Sequence, residues 1–282
     1  MVQKQLPFVR SFLDPRALLA VCVSVFAAPE LQAQEDNLAA AAQNPIADII
    51  SLPLQFNFNR KQGPNEDNGL VLNIQPVIPI SFSENLNLIN RLVIPYIDNS
   101  NVLTEGGVPK DQNFTGLGDI QYQGFLSPKA PTAGGWTWGL GAVIQAPTAQ
   151  DDRLRSRKWA AGPGAVAILT KGPWVVGGVL YNIWSFAGDS DAPDINKMLA
   201  QPIVNYNLPS GWYLTSAPII TADWEKPNDE RWVVPVGGGF GKIVKFGKQP
   251  VNMQLSYYKN VRRPTNGARE QVRFQMQFLF PK

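Results

Sequence analysis

Gln271-Val272-Arg273-Phe274-Gln275-Met276-Gln277-Phe278-Leu279-Phe280 decides the fold. Val272, Phe274, Met276, Phe278 and Phe280 fall on one face of an extended chain, while Arg273, Gln275 and Gln277 take the other. A period of two with one wholly apolar face predicts a half-buried strand. About 9–11 residues is also the length that crosses a bilayer when a strand is tilted. The same parity recurs near the other end, where Ile50, Leu52, Leu54, Phe56 and Phe58 alternate with Ser51, Gln55, Asn57 and Asn59.

Between these two, strands are predicted over Leu70 to Ile80, Leu86 to Tyr96, Gly116 to Leu126 and Trp136 to Ala146, then Trp159 to Thr170 and Trp174 to Ser185. Met198 to Leu208, Trp212 to Trp224, Arg231 to Phe240 and Val251 to Tyr258 bring the total to twelve. The strands opening at Trp159 and Trp174 are apolar or small on both faces, so periodicity does not orient them; composition and spacing assign them. An even number suits a closed barrel whose two chain ends meet on one side. Alternate joins support this. Ser81 to Asn85, Lys171 to Pro173 and Pro209 to Gly211 are short, while Lys61 to Gly69, Asp98 to Thr115, Pro147 to Lys158, Ala187 to Lys197 and Lys259 to Glu270 are longer and polar. Ser127 to Gly135 is long for a turn and Glu225 to Glu230 short for an outer loop. Trp136, Trp159, Trp174, Trp184, Trp212, Trp224 and Trp232 fall at or near strand ends, as interfacial girdles do. The fold class expected is all-β: an antiparallel transmembrane β-barrel of about 12 strands with a short N-terminal helix.

Prolines strain this reading. Pro53, Pro76, Pro79, Pro95, Pro163, Pro202, Pro218 and Pro235 lie inside predicted strands, where each removes a ladder donor and a closed barrel has no free edge. Bulges are expected there, with the freed groups turned to the lumen or to water.

The N-terminus carries Lys4, Arg10 and Arg16, then the apolar run Ala17 to Ala28, then Leu31-Gln32-Ala33. That is the order of a secretory signal peptide, expected over residues 1–33; the run is too short for a membrane helix. A lipoprotein signal at Leu19-Ala20-Val21-Cys22 is the weaker alternative, since Val21 and the apolar residues after Cys22 fit it poorly. Residues 34–48 form a short segment containing a helix former from Glu35 to Pro45, lying either in the barrel mouth or as a frayed periplasmic leader. The barrel occupies 49–282.

The 249 residues after Ala33 contain neither Cys nor His. Disulfides, Cys-based metal sites and His-dependent catalysis are therefore excluded. Asp119 and Asp223 would make an acid pair only if brought together, and nothing in the spacing does so. No catalytic residue, metal site or cofactor is assigned. With 22 basic against 20 acidic residues in that stretch, no nucleic-acid footprint is present. Gly237-Gly238-Gly239-Phe240-Gly241-Lys242 lacks phosphate-loop spacing and a following helix, and reads as small residues in a strand.

Asn44 to Pro53, Thr115-Gly116-Leu117-Gly118-Asp119, Gly162-Pro163-Gly164, Gln201 to Asn207 and Gly237 to Lys242 together resemble bacterial outer-membrane proteins of the phenol-degradation meta-pathway transporter type. Some relatives of that group carry the name neuromedin U. The resemblance implies a transport-like role and identifies no substrate; the barrel pattern, the amide-rich inner face and the proline-kinked strands add the expectation of passive uptake or export of small molecules, aromatic or hydrophobic ones among them. The partners then expected are outer-membrane lipid, an unidentified small solute, and the barrel-assembly machinery through the strand ending at Phe280.

With the apolar face to lipid, the opposite face lines a lumen. Its candidates are Asn73, Gln75, Arg91, Asp119, Gln121, Gln123, Gln145, Gln201, Asn205, Asn207, Asn252, Gln254, Arg273, Gln275 and Gln277. Such a lining is rich in amides and poor in charge, suiting weakly selective passage of polar or amphipathic molecules rather than ion selection. Amides that bond to one another and fill the interior are the competing expectation. Arg91, Asp119, Asp223 and Arg273 are the charges expected inside, and each needs a partner there. A structural or adhesive barrel, or a secreted soluble β-sandwich with apolar faces packed together, are the alternatives.

Overall fold

The computed structural model describes residues 38–99, 104–105, 108–109, 114–151 and 153–281. The expected signal peptide and residues 34–37 lie outside them.

Twelve staves close into one antiparallel barrel. The first is β1 (Ile50–Gln62), followed by a broken stave of β2 (Asp67–Ile74) and β3 (Val77–Ser81), and then β4 (Leu86–Asn99). A small hairpin, β5 (Thr104–Glu105) with β6 (Val108–Pro109), precedes a second broken stave, β7 (Phe114–Leu117) and β8 (Ile120–Pro128). Next come β9 (Trp136–Ala146), β10 (Lys158–Lys171), β11 (Trp174–Gly188) and β12 (Asn196–Asn207). A third broken stave joins β13 (Trp212–Ser216) to β14 (Ile220–Asp223), and β15 (Trp232–Phe246), β16 (Gln249–Arg262) and β17 (Glu270–Phe280) complete the wall. Closure is made by β17 on β1, from Phe280 opposite Ile50 to Glu270 opposite Arg60 without a slip. A closed ladder leaves no free edge, the condition for strands to span lipid.

The alternation predicted from sequence has the polar face inside. On β1, Ser51, Gln55 and Asn57 are buried while their neighbours are more open, and on β17 Arg273 and Gln277 are buried while Phe280 is exposed. Large apolar side chains cover the outside of the wall: Trp138, Leu140, Leu180, Leu214, Phe240 and Leu255 are all at least 40% exposed. Such a surface is stable against lipid and costly against water, at roughly 25 cal/mol per Å² of apolar area. No helix among the described residues is long and apolar enough to cross a membrane.

Short turns gather at one end, with the C-terminal Phe280, and longer connections at the other. Trp136, Trp174, Trp212 and Phe246 ring the short-turn end, and Trp159, Trp184, Phe186 and Trp224 the long-loop end. Trp174 meets Tyr206 edge-on at 4.8 Å, and Trp224 meets Trp232 at 5.5 Å. These are the two interfacial girdles.

The expectation of a bulge at every in-strand proline needs correction. Pro53, Pro79 and Pro202 sit in unshifted register opposite Gln277, Ile89 and Gly178. A ladder shift occurs at Val234/Pro235. Elsewhere the break is passed to a neighbour. The Pro53 carbonyl accepts from Gln75 N at 2.9 Å and the Pro95 carbonyl from Gly118 N at 2.8 Å. In an antiparallel pair a residue's N–H and C=O point the same way. Each ring therefore aims its missing donor at a seam, and the facing stave breaks there, at Gln75-Pro76 between β2 and β3 and at Gly118-Asp119 between β7 and β8.

Helix α1 (residues 38–43) stands before β1, and the one-turn α2 (Asn228–Arg231) lies in an outer loop.

Candidate functional site in the barrel lumen

The lumen has two unlike walls. Staves β16, β17, β1 and β2 present amides. Gln55 is their hub: its Oε1 accepts from Asn57 Nδ2 at 3.3 Å, Asn73 Nδ2 at 3.4 Å and Gln75 Nε2 at 3.5 Å, and its Nε2 donates to Gln275 Oε1 at 3.3 Å. Asn252 Nδ2 donates to Gln277 Oε1 at 3.1 Å, and Tyr213 donates its hydroxyl to Asn252 Oδ1 at 2.8 Å. Gly241 makes room for that ring, because a Cβ there would lie 2.2 Å from Tyr213 Cζ. Opposite runs an apolar wall of Phe125, Val143, Val166, Ile168, Val175, Val179, Tyr181, Ile183 and Ile203, packed as one cluster. This explains why β10 and β11 carry apolar residues on both faces: one faces lipid, the other the lumen.

α1 closes the short-turn mouth. Ala39 is fully buried among Ile49, Tyr213, Ile243 and Leu279, with Leu38 and Ala42 packed against the group. Gln43 Nε2 donates to Asn207 Oδ1 at 2.7 Å, tying the helix to β12.

Between the walls, above α1, a cavity of about 200 Å³ remains. Asn73, Gln75, Arg91, Gln121, Gln123, Gln201, Asn205, Asn252, Gln254, Arg273, Gln275 and Gln277 all line it. Gln145 is higher, in a wider pocket toward the long loops that also contains Lys197, Asp223 and Glu230. Asp223 pairs there with Lys197 at 3.9 Å rather than standing alone. Asp119 departs from its expected place. Its two carboxylate oxygens accept from the backbone N–H groups of Ala149 and Ser156, each at 2.9 Å, so it anchors the loop before β10. The break at Gly118-Asp119 frees the residue from the strict parity that placed it in the lumen.

Three lumenal tyrosines, Tyr181, Tyr213 and Tyr258, belong to this interior although their aromatic character masked them in the sequence. Tyr258 shares the parity of Asn252 and Gln254, a signal that was there to read. Gln55 and Asn57, absent from the candidates, carry the same signal on β1.

The two interior guanidiniums are held differently. Arg273 is 2% exposed: Nε donates to Asn57 Oδ1 at 3.1 Å, Nη1 to the Ala217 carbonyl at 2.9 Å and Nη2 to Gln271 Oε1 at 3.0 Å, while the group lies 4.8 Å over the Tyr258 ring. Arg91 is half-buried; Nη2 donates to Gln75 Oε1, and its buried Nε has no hydrogen-bond partner among the described residues. All of these acceptors are neutral.

One seam of the wall is interrupted. The β13–β15 ladder stops at Thr215 opposite Gly239, and pairing resumes only at Thr221 opposite Val233 on β14. Between them Ser216 Oγ donates to the Gly237 carbonyl at 2.7 Å. On the other side of the same stave, pairing with β12 stops at Val204 opposite Ser216 and resumes at Ala200 opposite Ile220, so that Pro202 faces Pro218. Ala217 bends inward, donating its N–H to Tyr258 Oη at 3.2 Å and accepting from Arg273 and, at 3.4 Å, Gln201 Nε2. Side chains thus satisfy backbone groups that the ladder releases.

No protein-family model and no curated protein sequence matches the chain. Solved structures do. An outer-membrane channel from Pseudomonas putida F1 superposes with a TM-score of 0.59 at 18% identity, over 82% of this chain and 93% of that one. An outer-membrane phospholipase A from Escherichia coli gives 0.44 at 10% identity, over 82% and 96%. A toluene transporter of Pseudomonas putida gives 0.40 at 9%, over 88% and 92%. The first of these likenesses establishes that the fold of this chain is that of an outer-membrane β-barrel.

Proposed function

We propose that this barrel is a passive outer-membrane channel for small aromatic or hydrophobic molecules, akin to the phenol-degradation meta-pathway transporter type. The observation that carries this reading is the divided lining of the lumenal cavity, where an apolar wall of Val179, Leu199 and Ile203 shares the space with an amide wall centred on Gln55. A channel for water-soluble ions has no use for the first wall, and a solid core has no use for a cavity of about 200 Å³ beside the second. The interrupted seam between the β13–β14 link and β15 gives an apolar solute a way from the lumen into the lipid without passing α1. A wholly structural barrel is the second reading, favoured by α1 in the mouth.

Reconstitution into liposomes tests the two. The channel reading expects toluene to equilibrate faster across vesicles holding the barrel than across empty ones, with little passage of sucrose. Equal toluene rates in both preparations leave the structural barrel as the better description.

A further inference from the structure

Thirty of the described residues line the 200 Å³ cavity, and Arg91 and Arg273 are the sole Asp, Glu, Lys or Arg side chains among those thirty. Neither guanidinium has a carboxylate within salt-bridge distance among the described residues. A protein normally pairs a charge placed in such surroundings, because desolvation without a counter-charge costs several kcal/mol. Arg273 has an evident structural occupation: all three of its nitrogens donate, and one pins Ala217. Arg91 has none of comparable extent. Its one recorded hydrogen bond goes to Gln75, and Nε is closed off from water with nothing to donate to.

Opposite the amide wall, Val179, Leu199 and Ile203 line the same cavity. Gln121 adds a polar contact on that side, its Oε1 already accepting from Tyr181 Oη at 2.9 Å and from Gln123 Nε2 at 2.8 Å. A ligand satisfying this cavity therefore needs an anionic head for Arg91 and an apolar body for the facing wall. We infer that the lumen holds a binding site for an amphipathic monocarboxylate, with Arg91 taking the carboxylate and Val179, Leu199 and Ile203 the hydrocarbon. This deepens the channel reading and rests on it for its physiological sense, though binding and passage are separate measurements. Low-dielectric walls focus the field of the two cations, so an anion concentrates in the lumen, and a planar guanidinium fork matches a carboxylate.

Calorimetric titration of the purified barrel in zwitterionic detergent tests the site at neutral pH, with benzoate, its uncharged analogue benzyl alcohol, and acetate as probes. Benzoate is expected to bind about tenfold or more tighter than either, as one charge-assisted contact and one apolar contact respectively require. R91Q should lower the benzoate to benzyl alcohol affinity ratio about tenfold, and R91K should recover part of it; heat-modifiable gel migration verifies that each variant is folded. Benzoate binding no tighter than benzyl alcohol, or a ratio unmoved by R91Q, overturns the carboxylate site. Acetate binding as tightly as benzoate overturns the role of the apolar wall. Toluene passage in vesicles with no benzoate preference would remove this site and keep the channel; the converse would keep the site and remove the channel.

Discussion

Arg273 on β17 donates from Nη1 to the main-chain carbonyl of Ala217 at 2.9 Å, reaching past β16 and β15 to hold the bend between β13 and β14. The bend is thus pinned by a side chain three staves away. Arg273→Met deletes the pin while also removing a buried charge, so the barrel itself should persist. Hydrogen bonds to charged groups contribute about 1.5–3 kcal/mol each, and losing one should speed amide exchange around Ala217 and Ile219 by about tenfold or more. Exchange at the wild-type rate would mean that Pro218 alone keeps the segment off the wall.

Pro235 withholds a donor at the interrupted seam with β15, and Pro218 withholds one on the β12 side of the same stave, where it faces Pro202; restoring both should let the stave zip. In Pro218→Ala with Pro235→Ala, each ladder hydrogen bond gained is worth about 1 kcal/mol. Toluene entry into vesicles should then fall several-fold, while ion conductance through the lumen stays near wild type. A double variant that passes toluene normally would move the exit elsewhere.

How legible was this arrangement in the sequence? Strand parity on β1 and β17 was plain, because one face meets lipid and the other amides, and the number of staves followed from it. Parity failed where both faces are apolar: on β10 and β11 it could not show that Val166, Val179 and Ile183 turn inward. It also misplaced Asp119, since a break set by Pro95 on a neighbouring stave is a tertiary event with no local mark. The proline count announced that some seams would fail. Which ones depended on where each missing N–H pointed, and only the register decides that.

Glu230 latches two outer loops, accepting from Thr265 N at 3.0 Å and from the Thr265 hydroxyl. These bonds, the hydroxyl's first, hold its carboxyl below the usual carboxylate range. A depressed pKa in the folded state means the contact is fully present above the ordinary Glu value and is lost only as pH falls through the lowered one. Proteolysis after Arg263 should therefore stay slow into mildly acidic buffer and quicken below it, whereas Glu230→Gln should be cut faster at neutral pH. Cutting that ignores both pH and substitution would show the latch to be idle.

Phe280 is 43% exposed on the lipid side and pairs with Ile50 where the last strand closes on the first. We propose that the barrel-assembly machinery engages this strand at Phe280. Phe280→Ala should lower the amount of folded, heat-modifiable barrel in outer membranes several-fold, while removing Pro281 and Lys282 should change it little. The ladder from β17 to β1 would survive the first change, so a loss would fall on delivery and closure rather than on final stability. Equal membrane levels would assign Phe280 to the girdle alone.

α1 is too short to be helical in isolation; its order comes from packing Leu38, Ala39 and Ala42 against Ile49, Tyr213, Ile243 and Leu279. Ala39 is fully buried, so Ala39→Glu places a carboxylate against Ile49, Tyr213, Ile243 and Leu279, none of which carries a counter-charge. The cost of several kcal/mol exceeds what a few small contacts and the Gln43 to Asn207 hydrogen bond supply, and the helix should leave the mouth. Single-channel conductance should then rise several-fold over wild type. Gln43→Ala, losing one hydrogen bond of about 1 kcal/mol, should instead give brief openings to the same larger level. If Ala39→Glu conducts as wild type does, the resistance lies in the amide wall around Gln55, and the helix caps a lumen that is already closed above it.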